Sequence, residues 1–197
     1  MLFQDQGEWI ELSQGKLFWH PHFLSQTHAD ALLEQYLTQL TWRQESIVMF
    51  GKSVQQPRLQ AWYGDKSYRY SGLTMPPRPW TESLTQLKAL CERQANCAFN
   101  SVLANQYRNG EDSMGYHQDN EPELGQNPII ASVSLGATRR FNLKHIHTKQ
   151  TLSLDLTHGS LLIMAGELQH YWKHALPKAR GCQQTRVNLT FRKIGSA

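Results

Sequence analysis

Arg186-Val187-Asn188-Leu189-Thr190-Phe191-Arg192 alternates polar and apolar residues without a break. A strand sends successive side chains to opposite faces, so Val187, Leu189 and Phe191 share one face and Arg186, Asn188, Thr190 and Arg192 the other. If the polar face met solvent, this would be an ordinary surface strand. If it points into a barrel, two guanidiniums enter a low-dielectric interior and need bidentate carboxylate partners to be tolerated there. A small dicarboxylate meets that need.

Further back in the chain, Gly115-Tyr116-His117-Gln118-Asp119 puts His117 and Asp119 two residues apart, on one face of a strand. Such a pair supplies two ligands of a 2-His-1-carboxylate set, which leaves coordination positions open for a cosubstrate and O2. HxD alone occurs often by chance, so the third ligand matters, and nine histidines are available. His174 lies in the strand-like segment His170-Tyr171-Trp172-Lys173-His174, twelve residues before Arg186. His170 is even-spaced from it and competes for the role. His20 and His22 flank Pro21 in a turn, and His145 and His147 fall where a strand runs into a polar loop. A zinc-protease HExxH reading fails because Tyr171, not Glu, follows His170. Asn105-Gln106-Tyr107 adds two more side chains on one strand face, both able to donate hydrogen bonds to a carboxylate. NxY, HxD, a distal His and RxNxTxR in this order are far harder to obtain by accident than any one of them.

Around these motifs the chain is organised as helices followed by strands. Residues 25–40 carry Ala29, Leu32, Leu33, Tyr36, Leu37 and Leu40 at helical spacing behind a Ser25 cap. Thr81 caps a second helix after the Pro-rich turn at 76–79, with Leu84, Leu87, Leu90 and Cys91 as its buried stripe. From about residue 98 the pattern predicts strands over 99–107, 115–119, 129–135, 139–146, 151–156, 160–165, 170–175 and 186–194. The expected class is α+β, mainly β: one domain over 1–197, with a helical, hairpin-bearing extension over 1–98 and an antiparallel two-sheet core over 99–197.

The 197 residues, 40% of them hydrophobic, suffice for one core. No run of about 18 apolar residues and no basic, apolar leader is present, so no membrane association is expected, and a cytoplasmic monomer is. Three cysteines without CxxC spacing argue against a disulfide framework or a structural zinc. A net charge of +4 with a pI near 9.0 suits a polyanionic partner without demanding one.

The stretches PRLQAWYGDKSYRYSG, FNSVLANQYRNGEDSMGYHQDNEPELG, PIIASVSLGATRRF, HGSLLIMAGELQHYWKHALPK and RVNLTFRK together resemble the AlkB family of Fe(II)/2-oxoglutarate nucleic-acid dealkylases, most closely its DNA-repair branch. The resemblance implies a double-stranded β-helix (jelly-roll) core with a substrate-binding hairpin and lid. It implies His117, Asp119 and His174 as iron ligands, and Asn105, Tyr107, Arg186, Asn188, Thr190 and Arg192 as the 2-oxoglutarate pocket. In that pocket Arg192 would meet the distal C5 carboxylate and Arg186 would sit nearer the iron. Glu121 would accept from the exocyclic amino group of a flipped 1-methyladenine or 3-methylcytosine, and Tyr68, Arg69, Tyr70 and Ser71 would form the lid over that base. Phe50, Gly51 and Lys52 would form a hairpin tip that fills the gap left in a duplex. Asn120 stands where one repair branch has a second acid, which bears on base selectivity. The implied reaction is oxidative demethylation of methylated DNA, single- or double-stranded, or of RNA, with Fe(II), 2-oxoglutarate and O2, releasing succinate and formaldehyde. An oxygenase acting on other substrates would lack Tyr68, Tyr70 and Glu121, and a catalytically dead binding module would have lost a metal ligand.

Overall fold

The computed structural model describes residues 6–49, 52–66, 68–70 and 73–195, with the backbone alone at 48–49, 68–70 and 73–75. The chain opens with a hairpin, β1 (Glu8–Leu12) and β2 (Gly15–His20), and helix α1 (Gln26–Gln39). Then come β3 (Ser46–Met49), β4 (Lys52–Gln55), β5 (Leu59–Gly64), β6 (Tyr68–Tyr70), β7 (Leu73–Met75) and helix α2 (Glu82–Ala95). The second half holds β8 (Ser101–Tyr107), β9 (Met114–His117), a 3-10 turn at Pro122–Leu124, β10 (Ile130–Gly136), β11 (Arg139–His145), β12 (Thr151–Leu156) and β13 (Ser160–Ala165). A single helical turn, α3 (Leu168–Tyr171), leads into β14 (Trp172–Leu176), and β15 (Arg186–Arg192) follows.

Both long helices start where capping chemistry places them. The side chain of Ser25 accepts from the His28 N–H and that of Thr81 from the Leu84 N–H. Their apolar stripes lie on a seven-stranded antiparallel sheet ordered β1-β2-β13-β10-β15-β8-β5. Val187, Leu189 and Phe191 of β15 meet Leu32 and Tyr36 of α1 and Leu84, Leu87 and Cys91 of α2 in one cluster. Each such large side chain stabilises the fold by about 1.5–3 kcal/mol on burial, and Leu189→Ala would cost about 2–5 kcal/mol.

The other face of that sheet covers a four-stranded sheet ordered β12-β11-β14-β9. Leu17, Ile130, Leu162 and Met164 pack there against Phe141, Leu143, Leu156 and Trp172. β15 is therefore buried on both faces along its whole length, and its polar face points between the sheets. This removes the reading of 186–192 as a surface strand. β3 pairs with β4 and β6 with β7 as separate hairpins, as expected of the extension. Gly136, with φ of 86°, turns β10 towards β11, and a Cβ there would lie 2.3 Å from the Thr185 carbonyl oxygen.

Three expectations change. Residues before 98 also supply β1, β2 and β5, which form both edges of the large sheet, so that sheet runs across the expected boundary. The strand expected at 170–175 begins at Trp172, because 168–171 turn helically. The strand expected at 115–119 ends at His117, and Asp119 lies beyond the ladder. Cys91, Cys97 and Cys182 are free thiols. Among the described residues no helix is long and apolar enough to cross a membrane.

Candidate metal centre and cosubstrate pocket

β9 and β14 are antiparallel neighbours with His117 directly opposite His174, which brings the imidazole centroids to 4.2 Å. Asp119 reaches the same point from the segment after β9. One ligand atom from each of His117, Asp119 and His174 lies within 4.8 Å of the other two. His170 sits on α3 and is exposed, which removes it as a competitor. The helical turn breaks the even spacing that had put it on the face of His174.

The protonation states suit a divalent cation. Burial pushes His174 down to about 3, with neighbouring His117 adding to the effect against the pull of Asp119, so its ring is neutral near pH 7. His117 is lowered too, chiefly by burial. Its Nδ1 lies 3.0 Å from the Gly115 carbonyl, and its Nε2 is 3.6 Å from Asp119 Oδ1. Burial alone would raise the Asp119 carboxyl, but Arg192, then His174 and His117, outweigh it and hold the group well below the usual carboxylate range. Two neutral imidazoles and a carboxylate fit Fe(II) in a set that leaves positions open.

All nine metal and cosubstrate residues named from the sequence, Asn105, Tyr107, His117, Asp119, His174, Arg186, Asn188, Thr190 and Arg192, line one cavity. The sheet register explains how. Arg186 is opposite Tyr107 and Asn188 opposite Asn105, so the two even-spaced sets share the inner face. Asn188 donates to Ser132 Oγ at 2.8 Å, and Thr190 donates to Asn188 Oδ1 at 3.0 Å, which braces the middle of the wall.

The two arginines stand opposite to the expected order. Arg192 Nη2 donates to Asp119 Oδ2 at 2.7 Å, so Arg192 belongs to the metal end. Arg186 lies six residues away at the far end of β15, about 20 Å along the strand. It donates to Ser134 Oγ at 2.9 Å and stacks over the Tyr107 ring at 5.3 Å. Among the described residues no carboxylate pairs with Arg186, and its buried Nε has no hydrogen-bond partner. Burial pushes its pKa down to about 10, opposed by Tyr107 and reinforced by Arg139. A buried cation in this state is a site for an anionic guest.

The sequence reading missed a second polar row. Gln56, Arg58 and Gln60 are all buried. Arg58 Nε and Gln60 Nε2 donate to Asn105 Oδ1 at 3.1 and 3.2 Å, which leaves the Asn105 NH2 group to face the cavity. Arg58 also donates to Gln56. The signal was period-two spacing in QPRLQ, the same feature that marks β15. Gln169 was missed as well. It is buried on α3 and holds the Asp119 backbone.

The substrate candidates are less gathered. Glu121 is half-buried just before the 3-10 turn, two residues past Asp119, and Asn120 is exposed. Lys52 is exposed at the start of β4. Tyr68, Arg69 and Tyr70 form β6, whose backbone alone is described. Phe50, Gly51 and Ser71 lie outside the described residues.

Comparison with known proteins agrees with this geometry. The signature of the 2OG-Fe(II) oxygenase superfamily matches residues 16–192. Human alpha-ketoglutarate-dependent dioxygenase alkB homolog 3 is 42% identical over 185 residues, covering 89% of this chain and 65% of that protein. The mouse DNA oxidative demethylase ALKBH2 is 41% identical over 173 residues, covering 82% of this chain and 72% of that protein. The chain thus spans about 65% of the length of the alkB homolog 3 proteins it matches. The solved structure "The structure of OsALKBH1" superposes with a TM-score of 0.65 at 16% identity, over 94% of this chain and 100% of that one, a likeness of fold. On the superfamily match and these identities, the chain belongs to the AlkB family of Fe(II)/2-oxoglutarate dioxygenases.

Proposed function

We propose that this protein is an Fe(II)- and 2-oxoglutarate-dependent dioxygenase that oxidatively removes methyl groups from nucleic-acid bases and so repairs alkylated DNA. The observation that carries the reading is one cavity joining the His117, Asp119 and His174 set to a buried Arg186 with no carboxylate partner among the described residues. The names of the similar proteins, alpha-ketoglutarate-dependent dioxygenase and DNA oxidative demethylase, support it.

In this reading His117, Asp119 and His174 hold Fe(II), and Arg186, Asn105 and Tyr107 receive the distal carboxylate of 2-oxoglutarate. Arg192 keeps the Asp119 carboxylate ionised. Phe141, Leu156, Met164 and Leu176 line the same cavity and limit water there. Bound Fe(II), with 2-oxoglutarate and O2, supplies oxidation of the N-methyl group, the cosubstrate leaving as succinate and CO2 and the methyl carbon as formaldehyde. The protein's own task is positioning. Glu121 accepts from the exocyclic amino group that 1-methyladenine and 3-methylcytosine both carry, Tyr68, Arg69, Tyr70 and Ser71 cover the base, and Phe50, Gly51 and Lys52 meet the duplex.

Anaerobic loading with Fe(II) and 2-oxoglutarate, followed by O2 and a panel of methylated DNA and RNA oligonucleotides in both strand states, tests the proposal. Formaldehyde and succinate should form in equal amounts and only with methylated substrate. Succinate formation indifferent to every oligonucleotide would reject a nucleic-acid substrate.

A further inference from the structure

A ligand that sits on a strand inherits its aim from the ladder, but Asp119 does not sit on one. β9 ends at His117, and the next four residues, 118–121, run irregularly into the 3-10 turn. Asp119 is nevertheless 2% exposed, so its N–H is cut off from water and from any sheet partner. A buried donor in that position must be satisfied by something else.

It is satisfied by Gln169. The Asp119 N–H donates to Gln169 Oε1 at 3.0 Å, and the Gln118 side chain donates back to the Gln169 carbonyl at 2.9 Å. The Gln169 amide points its NH2 group at Met164 Sδ, 3.5 Å away. The opposite orientation would set that NH2 against the Asp119 N–H, so the acceptor has to face Asp119. Gln169 is 1% exposed and sits on α3, whose Leu168 is fully buried. Gly15 of the first hairpin packs so closely on Leu168 that a Cβ there would lie 2.9 Å from the Leu168 Cα. Three residues after Gln169, Trp172 starts β14 and donates its indole N–H to the Ser13 carbonyl at 2.9 Å. The same short stretch therefore fixes His174 through β14 and Asp119 through Gln169.

We propose that Gln169 is the positioning residue for the carboxylate ligand, setting the distance of Asp119 from the two histidines. Gln169 does not itself line the cosubstrate cavity, and its side-chain oxygen meets Asp119 at the backbone N–H, so it acts on the ligand through the Asp119 backbone. The inference rests on the metal reading of the site.

Mn(II) is the probe, because it binds such ligand sets without redox chemistry. Its affinity is measured by calorimetry on the whole protein without 2-oxoglutarate, for the native chain, His117→Ala and Gln169→Met, together with amide hydrogen exchange at Asp119. The methionine keeps the length of the side chain and removes the acceptor. Mn(II) should bind the native chain, fail to bind His117→Ala, and bind Gln169→Met about tenfold to hundredfold more weakly. The Asp119 amide should exchange faster in Gln169→Met. If Gln169→Met does not fold, Gln169→Asn, which withdraws the oxygen by one methylene, carries the test with the same expected direction. A variant that melts earlier but binds Mn(II) as tightly as the native chain would reduce Gln169 to a packing residue and overturn the proposal. Failure of the native chain to bind Mn(II) would overturn the metal reading instead.

Discussion

Replacing Arg186 by methionine should strongly weaken 2-oxoglutarate binding while leaving the metal-free fold at least as stable. Arg186 is 2% exposed, and burial, the chief cause, pushes its pKa from the ordinary arginine value down to about 10. That difference corresponds to about 3 kcal/mol set against the charged form. A carboxylate seated on the free edge of Arg186 recovers much of this through charge-assisted hydrogen bonds of about 1.5–3 kcal/mol each. Since about 1.4 kcal/mol is a factor of ten, Arg186→Met should weaken 2-oxoglutarate about a hundredfold. Arg186→Lys should weaken it about tenfold, because a point ammonium cannot reproduce the planar fork. Stability should move the other way. An apolar side chain in place of a buried, unmatched cation is neutral or stabilising, so the melting temperature should hold or rise. Calorimetry with Mn(II) in place of Fe(II), paired with thermal melts, reads both quantities. Unchanged 2-oxoglutarate affinity in Arg186→Met would place the dicarboxylate clamp elsewhere and defeat the argument from burial.

His117→Ala, Asp119→Ala and His174→Ala should each abolish turnover, whereas His170→Ala on the exposed face of α3 should keep most of it; comparable losses in all four would show that the ligand set is wrong. Arg192→Met should strand the buried Asp119 carboxylate, destabilising the metal-free protein by about 3–5 kcal/mol in denaturant melts and raising the carboxyl's pKa. The metal-free protein should also lose stability on acidification. An unfolded histidine takes up its proton near pH 6.5, whereas folded His174 resists until about 3, so below neutrality the unfolded state holds more protons, a slope of about 1.4 kcal/mol per pH unit for this group. Melts from pH 7.5 to 4.5 should show the decline, and His174→Ala should flatten it. Phe50→Ala should depress kcat/KM on double-stranded methylated DNA more than on the same sequence single-stranded; equal losses with a lowered melting temperature would make Phe50 a core residue.

Most of the candidate metal and cosubstrate residues were legible as candidates because a strand repeats every two residues, and the family resemblance then gave them roles. Spacing in Asn105-Gln106-Tyr107 and along 186–192 lists which side chains share a face, and an arginine on such a face already implies an anion if that face is buried; the same spacing drew attention to His117 and Asp119, although Asp119 lies beyond the end of β9. The same logic was available in Gln56-Pro57-Arg58-Leu59-Gln60, a row that orients Asn105 and carries no metal ligand to draw attention to it. The helices were equally plain from their caps and stripes. Local spacing could not show that residues before 98 close both edges of the large sheet, because pairings such as Tyr63 with Val102 link segments far apart in the chain.

Sequence by itself determined the mainly β class, the polar row along 186–192 and a short list of candidate metal ligands in which His170 and His174 both stood, since each follows from side-chain chemistry and a local period. Tertiary structure decided that the polar face of β15 looks inward, that His174 and not His170 faces His117, and that Arg192 serves the metal end while Arg186 waits at the far one. It also decided that Asp119 is aimed by Gln169 rather than by a strand. The physical reason is the same in each case. Periodicity fixes which side chains lie together on one face, but direction, register and burial are set by what packs against that face, and here those partners come from fifty or more residues away.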